Sequence, residues 1–131
     1  MFDSGDDRRR FKRIFFPEQS KVQAFFSYQG NGSHLMSATV LNLSETGIGL
    51  TVRKKTSNGI LAGDKLVLKE ISSLPQLFAL RDIISEIRWV LNHDFLDHIG
   101  FGCEFLNAPA AVKTQIRRFI TIEEILAEDS P

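Results

Sequence analysis

The chain has 131 residues, 43% of them hydrophobic and 24% charged, and its 16 Lys and Arg balance 16 Asp and Glu. This length and composition predict one folded domain with a sizeable core and exclude wholesale disorder. No apolar run approaches the roughly 18 residues of a membrane-spanning helix, and since the first residues are acidic, no secretory signal is expected. Since the single cysteine, Cys103, cannot form an internal disulfide, a cytoplasmic location is expected.

The net charge of zero hides a local excess of cations near the N-terminus. Five cations fall within six positions: Arg8, Arg9, Arg10, Lys12 and Arg13. Acidic residues lie just before them and also close the chain. Because a protein that coats long nucleic acids usually carries a net positive domain, this distribution disfavours a nucleic-acid polymer and favours a small polyanion.

The order of predicted elements indicates an all-β fold with a C-terminal helix. Residues 1–13 have little apolar content and predict a flexible, arginine-rich arm. Alternating apolar residues predict strands over residues 21–28, 36–41, 48–52, 65–71, 78–91 and 99–105, with a turn at 42–47. Apolar residues then recur at helical spacing: Val112, Ile116, Phe119 and Ile120. We therefore expect a small antiparallel β-barrel with its helix over residues 14–127, and a tail at 128–131.

No arrangement of residues predicts catalysis or a metal centre. The run of residues 93–98, HDFLDH, holds four potential metal ligands. A solvated polar loop accounts for it better, because a metal site also needs ligands that converge. Cys103 lies in a strand pattern, which predicts a buried thiol and not a nucleophile. The chain is therefore expected not to be an enzyme and to carry no metal or cofactor.

Two short motifs rise above the background of chance matches. The first is an R-x-x-x-R spacing at Arg9 and Arg13, and the second is N-x-S-x-x-G at Asn42, Ser44 and Gly47. By average composition the first occurs in about one chain in three of this length and the second in about one in twenty. Their order is more informative, since one precedes the first strand and the other lies between two predicted strands.

With these motifs the chain resembles the PilZ domain, the bacterial receptor module for cyclic di-GMP. The motifs match the family's R-x-x-x-R and [D/N]-x-S-x-x-G, and residues 99–105 resemble its closing strand before a C-terminal helix. The resemblance covers roughly residues 8–122. It implies a six-stranded antiparallel PilZ-type β-barrel plus helix, in agreement with the periodicity, and a site for cyclic di-GMP at the two motifs.

The chemistry of the motif residues suits this ligand, which carries two phosphodiester charges and two guanines. Arginine offers a planar donor fork for phosphate oxygens or for guanine O6 and N7, and its flat face stacks on a base. Asn42 offers an acceptor for a guanine N–H, although it gives up the charge that Asp would carry. Ser44 adds a hydroxyl, and Gly47 allows close backbone approach or positive φ.

Three further residues are assigned to the site. The only tryptophan, Trp89, is either a core residue or a platform at the barrel rim that stacks on guanine. A Trp at a similar place in some PilZ domains favours the platform. The surplus Arg8 and Arg10 suit a second, intercalated ligand, so two cyclic di-GMP molecules per chain are expected.

The expected mechanism is ordering of the arm. Ligand phosphates neutralise its arginines, the arm folds onto the barrel face that carries Asn42 and Ser44, and the new surface is shown to an unidentified downstream protein. One alternative is a PilZ-like adaptor that binds no nucleotide and acts only through protein contacts. Another is a barrel that binds single-stranded nucleic acid with arginine and aromatic side chains, which the net charge disfavours.

Overall fold

The computed structural model describes residues 11–28, 35–54, 59–92 and 96–128. These residues form seven strands and one long helix: β1 (Arg13–Phe15), β2 (Gln23–Tyr28), β3 (Leu35–Ser44), β4 (Gly47–Arg53), β5 (Lys65–Ile71), β6 (Ile83–Leu91), β7 (His98–Phe105) and α1 (Ala110–Glu128). Two short 3₁₀ turns, Glu18–Ser20 and Pro75–Leu77, lie between strands. No helix among the described residues is long and apolar enough to cross a bilayer.

The strands form one closed antiparallel sheet. They are ordered β1-β3-β2-β5-β6-β7-β4, and β3 also pairs with β4. The six strands β2 to β7 therefore close into a barrel, which confirms the predicted six-stranded PilZ-type architecture. The short β1 is an extra strand that pairs with the end of β3, beyond the part of β3 that pairs with β2. Closure leaves the six main strands without a long open edge.

The core fills the barrel and extends beneath the helix. Alternate residues of the strands point inward, and the rings of Phe26 and Phe101 meet edge to face with centroids 6.3 Å apart. On α1 the buried residues are the four that the helical spacing predicts: Val112, Ile116, Phe119 and Ile120. Phe119 also stacks on Phe16 with centroids 6.4 Å apart. The helix therefore holds the segment that follows β1 against the barrel.

Two predicted segments differ in extent from the observed elements. The turn expected at 42–47 is shorter, because β3 continues to Ser44 and only Glu45 and Thr46 form the turn. Pairing with β1 on one side and β4 on the other gives residues 42–44 strand partners that their turn-forming composition does not reveal.

The strand expected at 78–91 begins only at Ile83. Before it, the apolar residues Leu77 and Leu80 are buried in the core by a 3₁₀ turn and not by a strand. This turn packs against α1, where the backbone N–H of Ala79 donates to Oε1 of Gln115 at 2.8 Å. Burial against a helix therefore accounts for an apolar pattern that resembles strand alternation.

Candidate ligand-binding site

Five strands each place one residue in a row that crosses the barrel wall. The paired residues run from β1 through β3, β4 and β7 to β6: Phe15, Asn42, Gly49, Gly102 and Trp89. Neighbouring strands lie about 4.8 Å apart, so this first row spans roughly 19 Å along the wall. Its two central residues are glycines and its outer residues are large, which leaves a depression in the middle.

The side chains that flank the two glycines lie over them. A Cβ on Gly49 would lie 2.7 Å from Nδ2 of Asn42, and a Cβ on Gly102 would overlap the indole of Trp89. Real Cβ atoms essentially never come closer than 3.0 Å to other heavy atoms. Neither glycine has a positive φ. Glycine is therefore needed at both positions for close approach, because it lets Asn42 and Trp89 lie flat against the barrel wall.

Two β-bulges direct the side chains of this site outward. The register shifts between Val40 and Asn42 in β3 and between Ile87 and Trp89 in β6. Strict alternation would point Asn42 inward with Val40, and would send Arg88 and Trp89 to opposite faces. With the extra residue in each strand, Asn42 lies outside, and Arg88 and Trp89 are both exposed.

A second row of paired residues lies two positions along β1, β3, β4 and β7 and three along the bulged β6, and three of its members are charged: Arg13, Ser44, Gly47, Glu104 and Glu86. At one end, Nη1 of Arg13 donates to Oδ1 of Asn42 at 2.5 Å. At the other end, Arg88 donates to Glu104 and forms an ion pair of 3.4 Å with Glu86. The two carboxylates face each other in the ladder, so Arg88 offsets their repulsion.

All residues of the two rows except Ser44 and Glu86, together with Arg88, line an open cavity of about 420 Å³. Gly47, Gly49 and Gly102 contribute to its floor, and its walls carry two guanidiniums, one carboxylate and two exposed aromatic rings: Arg13, Arg88, Glu104, Phe15 and Trp89. Guanidiniums bind phosphate oxygens through charge-assisted hydrogen bonds, and exposed rings stack on bases. The volume lies within the range of small-molecule sites. The cavity can therefore hold a ligand that combines anionic groups with a planar base.

The structure brings four of the residues assigned to the site from sequence into this cavity: Arg13, Asn42, Gly47 and Trp89. Arg13, placed in the arm by the sequence analysis, lies in β1. Trp89 is 48% exposed at the rim, so the core alternative is excluded. A Cβ on Gly47 would overlap the carbonyl oxygen of Cys103, so this glycine serves close approach between strands and not a positive φ.

Ser44 does not line the cavity. Its side chain is buried, and its Oγ accepts from the backbone N–H of Thr46 at 3.2 Å, so it holds the turn between β3 and β4. The remaining predicted site residues, Arg8, Arg9 and Arg10, lie outside the described residues.

The sequence analysis assigned neither the two central glycines, Gly49 and Gly102, nor three large side chains of the cavity to the site: Phe15, Arg88 and Glu104. Arg88 reaches the site through a bulge, which no periodic pattern reveals. Glu104 could have been found, because alternation along β7 places it on the same face as Gly102. Phe15 belongs to an apolar run, residues 14–16, that gave no sign of an outward ring.

The turn between β3 and β4 is attached to α1 by an ion pair. The buried carboxylate of Glu45 accepts from Nε of Arg117 at 3.1 Å and from Nη2 at 2.9 Å. These hydrogen bonds raise the pKa of Arg117 above its ordinary value. Nearby, Nζ of Lys12 lies 3.3 Å from Oε1 of Glu124 on the same helix. Both motifs are therefore linked to α1.

The described residues show no group of three or more His, Cys, Asp or Glu that could hold a metal ion. Residues 93–95 of the polar loop considered above lie outside these residues. Cys103 is buried as predicted, and burial raises the pKa of its thiol to about 12. At neutral pH the thiol is therefore protonated, which is unsuited to nucleophilic chemistry.

Replacement of Gly102 tests the position of the indole. Gly102→Ala is expected to displace the indole of Trp89 from its position over Gly102 and to lower stability by about 1–3 kcal/mol, as overpacking does. Gly100→Ala on the same strand is the matched control, because a Cβ there would reach only ordinary van der Waals distance, 3.9 Å, from Cζ3 of Trp89 and from the carbonyl oxygen of Leu50. With a single tryptophan in the chain, emission and acrylamide quenching report on Trp89 alone. Both should change in Gly102→Ala and stay at wild-type values in the control; unchanged emission in Gly102→Ala would contradict the placement.

Comparisons with known proteins agree with this fold. A family model described as PilZ domain matches residues 7–121, and no curated protein matches the chain significantly. The PilZ domain of YcgR from Escherichia coli, solved with c-di-GMP, is 16% identical with a TM-score of 0.67, over 93% of this chain and 95% of that one. The motility inhibitor MotI (DgrA) of Bacillus subtilis is 14% identical, with a TM-score of 0.67.

The MrkH–c-di-GMP complex of K. pneumonia is 17% identical, with a TM-score of 0.60. The match covers 94% of this chain for MotI and 92% for MrkH, but only 54% of each of those proteins, so the chain spans about half their length. The family model covers most of the chain, and the closed barrel with its C-terminal helix has the same architecture. The chain therefore belongs to the PilZ domain family.

Proposed function

We propose that this protein is a receptor for cyclic di-GMP and that the cavity of about 420 Å³ is its binding site. The observation that carries the proposal is the hydrogen bond from Arg13 to Asn42, which joins the two sequence motifs at the edge of the cavity. Two structural neighbours, the PilZ domain of YcgR and the protein MrkH, were solved with this nucleotide, which supports the choice of ligand.

The cavity offers each part of this ligand a suitable partner. Arg13 donates to a phosphodiester or to guanine O6 and N7, and the exposed rings of Trp89 and Phe15 provide stacking surfaces. Stacking of a base on an aromatic side chain contributes about 1–3 kcal/mol. Arg8 and Arg9 supply further cations, and Arg10 with Arg8 accommodates a second ligand molecule, so two nucleotides bind per chain. Binding, not catalysis, is the activity, and no cofactor takes part.

The signal passes from the arm to a partner protein. Ligand draws residues 1–10 onto the barrel face, beside Arg13 in β1, and changes the surface next to α1, where Lys12 pairs with Glu124. The pair is exposed and contributes only about 0–1 kcal/mol, so the ligand can replace it at little cost. A downstream protein then binds the rearranged surface. The free thiol of Cys103 and a nucleotide messenger both suit the cytoplasm.

Calorimetric titration with cyclic di-GMP tests the receptor function. Wild-type protein should bind with micromolar or tighter affinity and a stoichiometry of two nucleotides per chain. Arg13→Ala should weaken binding by about ten- to hundredfold, because a hydrogen bond to a charged group contributes about 1.5–3 kcal/mol. The control is Arg81→Ala, which removes an exposed arginine that does not line the cavity and should bind like wild type.

The outcomes of this titration separate the alternatives. If cyclic di-GMP produces no heat of binding with wild-type protein and competition experiments detect no binding either, the receptor function is contradicted. The protein-only adaptor is then favoured. A stoichiometry of one would keep the receptor and remove the second ligand. Equal loss of affinity in Arg13→Ala and Arg81→Ala would indicate general charge attraction and not this site.

Ordering of the arm is tested by ¹⁵N relaxation. In the proposed mechanism the backbone amides of residues 1–10 become more restricted when cyclic di-GMP saturates the protein, since the phosphates pair with the arginines. Amides of α1, already held against the core, serve as the internal reference and should keep their relaxation rates. Equal mobility of residues 1–10 with and without saturating ligand would contradict the relay.

A further inference from the structure

We infer that Glu104, oriented by Arg88, recognises the guanine base in this cavity by accepting hydrogen bonds from guanine N1–H and N2–H₂. The inference rests on the proposed function and concerns its specificity. It would make Glu104 and Arg88 the residues that distinguish guanine from other bases, in addition to the residues of the two sequence motifs.

The position of Glu104 on β7 supports this role. It lies two residues beyond Gly102 on the same outer face, and Gly102 is the residue beneath the indole of Trp89. Two residues along a strand are separated by about 7 Å. A base stacked beside Trp89 therefore has its edge within reach of the flexible Glu104 side chain, which also lines the cavity.

The carboxylate of Glu104 is held in place and still has accepting capacity. Arg88 donates to its Oε1, and Arg88 is itself fixed by the bulge in β6 and by its ion pair with Glu86. In the described part of the chain no hydrogen bond engages Oε2 of Glu104. Since a carboxylate offers about four lone-pair sites, it can hold Arg88 and accept from a ligand together. The side chain is 47% exposed, so a ligand can reach it.

The alternative acceptor, Asn42, is less suited to this task in the structure. Its Oδ1 already accepts from Arg13, and its amide nitrogen lies over Gly49. Among the described residues that line the cavity, Glu104 carries the only carboxylate. The charged acceptor that Asn at position 42 does not provide is therefore supplied from β7.

The chemistry of the bases makes the assignment specific. Guanine presents two adjacent donors, N1–H and N2–H₂, which match the two oxygens of one carboxylate. Adenine presents an acceptor at N1, which a carboxylate would repel. A carboxylate would also repel the ligand's phosphodiesters, so it contributes to binding only if it faces base donors. The phosphates are then left to Arg13 at the other end of the second row.

The test is a cycle of two proteins and two ligands. Wild type and Glu104→Gln are titrated with cyclic di-GMP and with cyclic di-IMP, whose hypoxanthine lacks the 2-amino group. Gln keeps an acceptor for Arg88 but loses the charge and adds a donor. Glu104→Gln should lower the affinity for cyclic di-GMP by about ten- to hundredfold. The affinity for cyclic di-IMP should fall clearly less, because only guanine loses a hydrogen bond from its N2–H₂ group. Glu70→Gln, an exposed carboxylate on β5, is the matched control and should bind both ligands as wild type does.

Each outcome bears on one statement. If Glu104→Gln weakens both nucleotides by the same factor, or neither, while wild type binds cyclic di-GMP, the inference is overturned and the receptor function stands. If wild type does not bind cyclic di-GMP, the receptor function fails and the inference fails with it. Thermal unfolding of Glu104→Gln near the wild-type temperature confirms that altered binding reflects recognition and not loss of fold.

Discussion

The site depends on one rung of the β4–β7 ladder, where Gly49 lies opposite Gly102. With no side chain on either residue, the barrel wall is flat there, and the side chains from the two flanking strands can lie over it. A Cβ on either glycine would displace Asn42 or Trp89. The depth of the cavity and the positions of its hydrogen-bonding and stacking groups therefore follow from the same pair of glycines.

Around this rung, two bulges and one short strand bring together polar and aromatic side chains from distant segments of the chain. The bulges in β3 and β6 expose Asn42, Arg88 and Trp89 without interrupting the buried residues beneath them. Strand β1 brings Arg13 beside Asn42, although 29 positions separate them in sequence. Glu45 then attaches the turn of the second motif to α1 through Arg117. The cavity and the helix surface are in this way connected through one turn.

Much of the fold could be predicted from periodicity, because inward residues alternate along the strands and the buried face of α1 recurs at helical spacing. The two motifs also located one side of the cavity, through Arg13, Asn42 and Gly47. The residues on the other side of the cavity were harder to predict from the sequence. Arg88 depends on a bulge, and bulges arise from pairing between strands, which a single strand's pattern does not encode. The motif predicts that Ser44 contacts the ligand, whereas in the structure its hydroxyl accepts a hydrogen bond from Thr46 within the turn.

The most direct test of the site follows the indole N–H of Trp89, the only tryptophan, in a ¹⁵N-labelled sample. This group lies over Gly102 on the cavity floor, so a ligand bound there must change its surroundings. The account predicts that its single resonance shifts as cyclic di-GMP is added to wild type. At the same ligand concentration it should shift far less in Arg13→Ala. An indole resonance that stays in place while wild type is saturated would contradict the assignment of this cavity as the binding site.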